Sequence, residues 1–111
     1  MRNPDILRKQ QDFNRLYHKA KSSGSKYVVL LSLKNGRTYN RMAFVASKKV
    51  GNSVKRHRAV RLMRESYRQL EAQFLTGYDF IFIARDKITE TKCADVKKSI
   101  EAAAKRAGVL S

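Results

Sequence analysis

The chain has 111 residues, with 25 Lys and Arg against 9 Asp and Glu, a formal net charge of +16. That excess is far beyond what solubility requires and points to a polyanionic partner, while 42% hydrophobic residues exclude a disordered basic tail. The length fits one domain, residues 1–111; no apolar run is long enough for a membrane span, and the single cysteine, Cys93, excludes an internal disulfide.

In chain order, the first few residues lack the apolar centre of a signal peptide, so a reducing cytoplasm is the expected compartment. Residues 5–21 are expected to be helical, with Asp5 as cap and Phe13, Leu16, Tyr17 and Ala20 at helical spacing. Ser22, Ser23, Gly24 and Ser25 are read as ending that helix. Residues 26–34 alternate as a strand, with Tyr27, Val29, Leu31 and Leu33 on one side and apolar Val28 and Leu30 on the other. Asn35-Gly36 is a strong turn signal, so residues 39–47 are expected as a second strand antiparallel to the first. Lys48, Lys49, Val50 and Gly51 then leave the sheet. Asn52 or Ser53 caps a long basic helix running to about Leu75, and Gly77 closes it. Residues 78–84 are apolar on both faces and are expected inside the sheet. Residues 91–107 form a last helix, with Thr89 or Thr91 as cap and Gly108 beyond its end. The order α-β-β-α-β-α gives an α+β fold, a small sheet packed on helices. The two strands flanking the basic helix are parallel if that helix is a crossover, and the usual crossover is right-handed.

The basic helix is the most informative element. On a wheel of about 100° per residue, Ala59, Leu62, Met63, Ser66, Tyr67, Leu70 and Phe74 share one side. His57, Arg61, Arg64 and Arg68 line up on the other. Like charges at this spacing repel by roughly 0.2–0.5 kcal/mol per pair, and Glu65 offsets only part of that. Lys55, Arg56 and Arg58 crowd the positive end of the helix dipole, where anions are favoured. A solvated charged face is the ordinary reading of such a stripe. Here the scarcity of acidic residues favours a polyanion along the face, with a phosphate near the helix start. Arginine suits that task, because its planar fork grips phosphate and stacks on bases.

Candidate catalytic chemistry is scarce. With two histidines and one cysteine, no zinc cluster is available. His18 reads as an exposed helical residue. Asp79, Asp86, Glu90 and the other carboxylates are scattered, whereas a two-metal nuclease needs several together. No nucleophile-base pair is visible.

The run Ala46-Ser47-Lys48-Lys49-Val50-Gly51-Asn52-Ser53-Val54-Lys55-Arg56-His57-Arg58, continued by Arg61, Leu62, Arg64, Glu65 and Arg68, resembles the signature of the bacterial ribonuclease P protein subunit. The aromatic pair Phe13 and Tyr17 and the strand ending in Ala84-Arg85 extend the resemblance over essentially the whole chain. It implies a fold like the second domain of ribosomal protein S5, with a left-handed crossover around the basic helix. It implies a subunit that binds a large catalytic RNA and, with it, removes the 5′ leader of precursor tRNA. Lys48, Lys49, Lys55, Arg56, His57, Arg58, Arg61, Arg64 and Arg68 would contact RNA. Phe13, Tyr17 and Leu31 would line a cleft for the single-stranded leader. The chemistry and its Mg²⁺ ions would reside mainly in the RNA, with no catalytic residue and no metal ligand in this chain. Three positions depart from the family pattern. His57 stands where Asn is usual, Val60 where Lys is common, and Leu31 where an aromatic is often found. From spacing alone, Phe13 and Tyr17 read as a core stripe, and it is the resemblance that sets the cleft beside that reading. Lys48 and Lys49 likewise fit ordinary edge-strand charges. A structural RNA-binding protein of ribosomal type is the competing function, and a stand-alone nuclease is disfavoured by the missing acid cluster.

Overall fold

The computed structural model describes residues 6–111, so the expected Asp5 cap lies outside the described residues. Three helices and four strands follow in the order α1 (Gln10–Lys19), β1 (Lys21–Gly24), β2 (Val28–Lys34), β3 (Arg41–Val45), α2 (Ser53–Leu70), β4 (Tyr78–Ala84) and α3 (Cys93–Ala107). Short 3-10 turns, Glu71–Gln73 and Asp86–Glu90, lie on either side of β4.

The sheet order is β1-β2-β4-β3, with β2 antiparallel and β3 parallel to β4. This corrects the expected hairpin. β3 does run opposite to β2, but β4 lies between them. The reason is burial: Phe80, Ile81 and Phe82 of β4 are each 0% exposed, and only an internal strand covers both faces. The Asn35-Gly36 turn still forms, with Gly36 at φ +71°, but it begins a connection that crosses the start of β4. Asn40 holds that crossing, since its Oδ1 accepts from Tyr78 N at 2.9 Å and its Nδ2 donates to Leu75 O at 2.8 Å.

The residues expected to end the first helix instead form β1, paired with β2 from Lys21↔Ser32 to Gly24↔Val29. Serine and glycine carry weak strand preference, so pairing and tertiary contact stabilise this edge rather than local sequence. Ser23 is buried, and its Oγ donates to Ala103 O of α3 at 2.8 Å.

One sheet face, with Val28, Leu30, Met42, Phe80 and Phe82, packs on Met63, Tyr67 and Leu70 of α2 and on Val96, Ile100 and Ala104 of α3. Phe44, Tyr67, Phe74, Phe80 and Phe82 form a run of ring contacts through this core. The wheel reading of α2 holds: Ala59, Met63, Ser66, Tyr67 and Leu70 are buried, and Leu62 packs half-buried against them. Ser66 is satisfied there by donating to Leu62 O at 2.7 Å. Among the described residues, the opposite sheet face is covered by α1 and the segment before it. Leu7 and Leu16 pack there on Leu31, Ala43 and Ile81.

Helix ends differ from expectation at four places. Helix α1 starts at Gln10, with Lys9 and not Asp5 in the cap position, because the segment before it runs extended and Ile6 bridges Met42 of β3. Asn52 does cap α2, its side chain accepting from Lys55 N at 3.0 Å. The α-helix stops at Leu70 rather than near Leu75, because Phe74 turns into the core and bridges Leu110 while Leu75 N donates to Val109 O. Gly77, at φ +89°, therefore shapes the turn into β4 instead of closing the helix. Neither Thr89 nor Thr91 occupies the cap of α3, which falls on Lys92; buried Thr91 still ties the first turn by donating to Asp95 at 2.8 Å.

Candidate nucleic-acid interface

The cationic face of α2 begins at a turn built by Lys48, Lys49 and Val50. Val50 anchors it in the core, while both lysines are exposed. Gly51 has φ +141°, and a Cβ there would approach Lys55 Cδ to 2.6 Å, so the turn brings backbone and lysine stem together closely. No acidic residue lies in the first turn of α2, so the positive end of the helix dipole is left uncompensated by carboxylates of its own turn.

Lys55, His57, Arg58, Arg61, Arg64 and Arg68 are all exposed. Glu65 makes an ion pair with Arg68 at 3.5 Å; with both side chains more than half exposed, it contributes little. Arg58 donates to Thr91 O at 3.4 Å. Arg64 leans over the Phe44 ring, 5.9 Å from its centroid. Arg56 is half-buried, and its Nε is buried with no hydrogen-bond partner among the described residues. Val60 is half-buried beside it and supplies no charge to the face.

Two grooves run along the outer edge of β3 and share Phe44 and Val45. One, of about 210 Å³, is bounded by Leu7, Phe13, Ala43 and Arg64. The other, of about 480 Å³, is bounded by Ala46, Arg56, His57 and Val60. Together they join α1 to the start of α2. Phe13 is half-buried and Tyr17 is 53% exposed, with ring centroids 6.5 Å apart. The pair is thus a partly open aromatic flank and not a fully buried core stripe. Leu31 is 8% exposed and packs under α1 with Leu16, so it supports the floor and presents almost no surface.

A charged cluster at the other end of β3, around Asp79, has no motif in the sequence. Asp79, at 0% exposure, receives Arg41 Nε at 2.9 Å on Oδ1 and Arg41 Nη2 at 2.7 Å on Oδ2. Asn35 Nδ2 adds 3.0 Å to Oδ1, and Arg15 Nη2 adds 2.5 Å to Oδ2. Burial opposes ionisation of this carboxyl, but the hydrogen bonds from Arg41 and Asn35 and the charges of Arg41 and Arg15 outweigh it and hold it below the usual carboxylate range. The signal was an aspartate in an otherwise apolar, central strand, which demands cationic partners from elsewhere. Among the described residues, no three His, Cys, Asp or Glu side chains are grouped to hold a metal ion, and no helix is long and apolar enough to cross a membrane.

Comparison with known proteins agrees with this architecture. A family model described as Ribonuclease P matches residues 1–108. The ribonuclease P protein component of Alkaliphilus metalliredigens is 40% identical over 100 residues, covering 90% of each chain. That of Clostridioides difficile is 38% identical over 104 residues, covering 93% of this chain and 91% of the relative. The Staphylococcus aureus RNase P protein superposes with a TM-score of 0.85 at 28% identity, over 96% of this chain and 98% of that one. The Thermotoga maritima protein gives 0.82 at 30% identity, over 91% and 96%. With its signature run leading into an exposed helix, its fold shared over 96% of its length and its sequence matched over residues 1–108, the chain belongs to the ribonuclease P protein component family.

Proposed function

We propose that the protein serves as the RNA-dependent subunit of the tRNA-processing endonuclease, with the α2 face on the catalytic RNA and the groove beside α1 on the 5′ leader of precursor tRNA. The observation that carries this reading is the continuity of the two surfaces. Arg64 of the exposed α2 stripe and half-buried Arg56 line the two grooves along β3, which lead to half-buried Phe13 with exposed Tyr17 beside it.

Each part has a physical task. Arg58, Arg61, Arg64 and Arg68 neutralise phosphates, releasing counterions and letting charged RNA segments approach one another. Lys48, Lys49, Lys55, Arg56 and His57 add donors at the helix start, where the dipole favours a phosphate. Phe13 and Tyr17 offer ring faces to unpaired bases, worth about 1–3 kcal/mol per stacked base. Only the precursor carries a leader, so this contact would favour substrate over product. Bond cleavage is assigned to the RNA. Mg²⁺ is assigned there too, because the described residues do not group carboxylates into a site that fits it.

The test is processing of precursor tRNA by the purified protein with and without the catalytic RNA, in Mg²⁺. Cleavage at the mature 5′ end only when both are present is the expected result. Cleavage by protein alone, after controls for contaminating nuclease, would overturn the division of labour. Full processing by the RNA at physiological salt without the protein would leave the ribosomal-type structural role as the better reading.

A further inference from the structure

The Asp79 cluster has no part in phosphate binding. It joins Asp79 and Asp12 to Arg15 and Arg41, with Asp12 lying 3.5 Å from Arg41 and 3.7 Å from Arg15, so two positive charges face two negative ones. Its field on a phosphate is therefore small. Nor does stability explain it, since a buried ion pair rarely outperforms apolar side chains of the same volume. What such a cluster does supply is fixed direction, and it ties α1, the loop after β2, β3 and β4 to one carboxylate.

The element that needs direction is α1. It has ten residues, no side-chain cap and one buried side chain, Leu16. Isolated helices of that length are marginal in water. Apolar contact through Leu16, with half-buried Phe13 and Ala20 beside it, is non-directional and by itself sets the roll of α1 only loosely, and the Asp12–Arg41 pair at 3.5 Å is longer than the Arg15–Asp79 contact. On the helical wheel, Arg15 lies about 160° from both Phe13 and Tyr17. Pinning Arg15 on Asp79 therefore fixes which way the aromatic flank faces.

We propose that the Asp79 carboxylate, through Arg15, is the positioning group that sets the roll of α1 over the sheet and so orients Phe13 and Tyr17 toward an unpaired RNA strand in the groove. The proposal rests on the leader-groove reading. Arg41 satisfies Asp79 from the sheet side, and Arg15 alone reaches it from the helix, so Arg15 is the informative position.

The experiment compares R15Q, R15K, F13L/Y17L and the combined R15Q/F13L/Y17L variant, each reconstituted with the catalytic RNA. Affinities for precursor and mature tRNA are measured, together with hydrogen exchange of the α1 amides. R15Q should reduce precursor preference roughly tenfold, as expected when one stacked base is misplaced. It should speed exchange in α1 while leaving α2 and α3 protected and the affinity for catalytic RNA unchanged. R15K, which keeps a cation on Asp79, should restore part of the preference. Adding R15Q to F13L/Y17L should cost nothing further, because the arginine acts only through the rings. A wild-type preference in R15Q, or a loss that adds in full to that of F13L/Y17L, would overturn the positioning role alone. An unchanged preference in F13L/Y17L would refute the leader groove, and the positioning role with it.

Discussion

At the scale of the residue, two groups decide most of the chemistry on the outer sheet face. The first is the aromatic pair. Changing Phe13 and Tyr17 together to Leu keeps much of the packing volume and removes the flat stacking surfaces. Precursor tRNA should then bind the assembled enzyme more weakly by about 1–3 kcal/mol, while mature tRNA binds almost as before. Equal losses for both ligands would return the pair to a packing role. The second is Asp79. Its folded-state pKa is lowered, so it contributes stability that is fully present above the unfolded value of about 4 and is lost as pH falls through the folded value. Denaturant midpoints should accordingly be insensitive to this group between neutral pH and about 5, then fall below about 4. Asp79→Asn would leave Arg41 and Arg15 with only Asp12, 3.5 and 3.7 Å away, as counter-charge and should cost at most about 3 kcal/mol at neutral pH, with a flatter acid limb. A variant as stable as the parent would show that the cluster is not holding the sheet face together. None of this was visible from spacing, because the Asp12–Arg15 turn of α1, Arg41 and Asp79 are distant in sequence from one another and meet only once β4 lies beside β3. An inward aspartate between Tyr78 and Phe80 was the one local trace.

At the scale of the element, α2 was legible and α1 with β1 was not. The basic helix declares itself because its period and its cap agree: Asn52 caps it, and Ala59, Met63, Tyr67 and Leu70, three or four positions apart, are buried. Replacing Asn52 with Ala should cost about 1 kcal/mol of stability through the lost cap, readable as a lower thermal midpoint with unchanged RNA affinity at equal folded concentration. No change in midpoint would mean that the packing of α2, and not its cap, sets its start. The segment before β2 reads as a turn because serine and glycine favour turns locally. It becomes a strand because Ser23 reaches Ala103 of α3 and its backbone pairs with β2. Here the tertiary partner overrules local preference. The end of α2 departs from its apolar period for a related reason: Phe74 keeps the helical spacing but enters the core just after the 3-10 turn and bridges Leu110.

At the scale of the whole molecule, the fold separates two duties. Helices α2 and α3 bury one face of the sheet, which supports the arginine stripe on a rigid element. The lightly covered opposite face, under α1, leaves a groove at the β3 edge. The class of fold followed from the order of periodic segments, and the parallel pairing of β3 with β4 followed from a helical crossover between them. The insertion of β4 between β2 and β3 did not follow, because a turn signal reports the local reversal and not which strand comes to lie alongside. The charge of +16 was the plainest message in the chain, and its distribution makes a quantitative claim. If Arg61, Arg64 and Arg68 each neutralise a phosphate, replacing all three with Ala should leave circular dichroism unchanged, since all three are exposed. Affinity for the catalytic RNA, titrated between about 50 and 200 mM salt, should fall in the variant, and its log-log slope against salt should be shallower by about two to three. A variant that binds with the parent's affinity and the parent's slope would contradict the assignment of the α2 face to RNA.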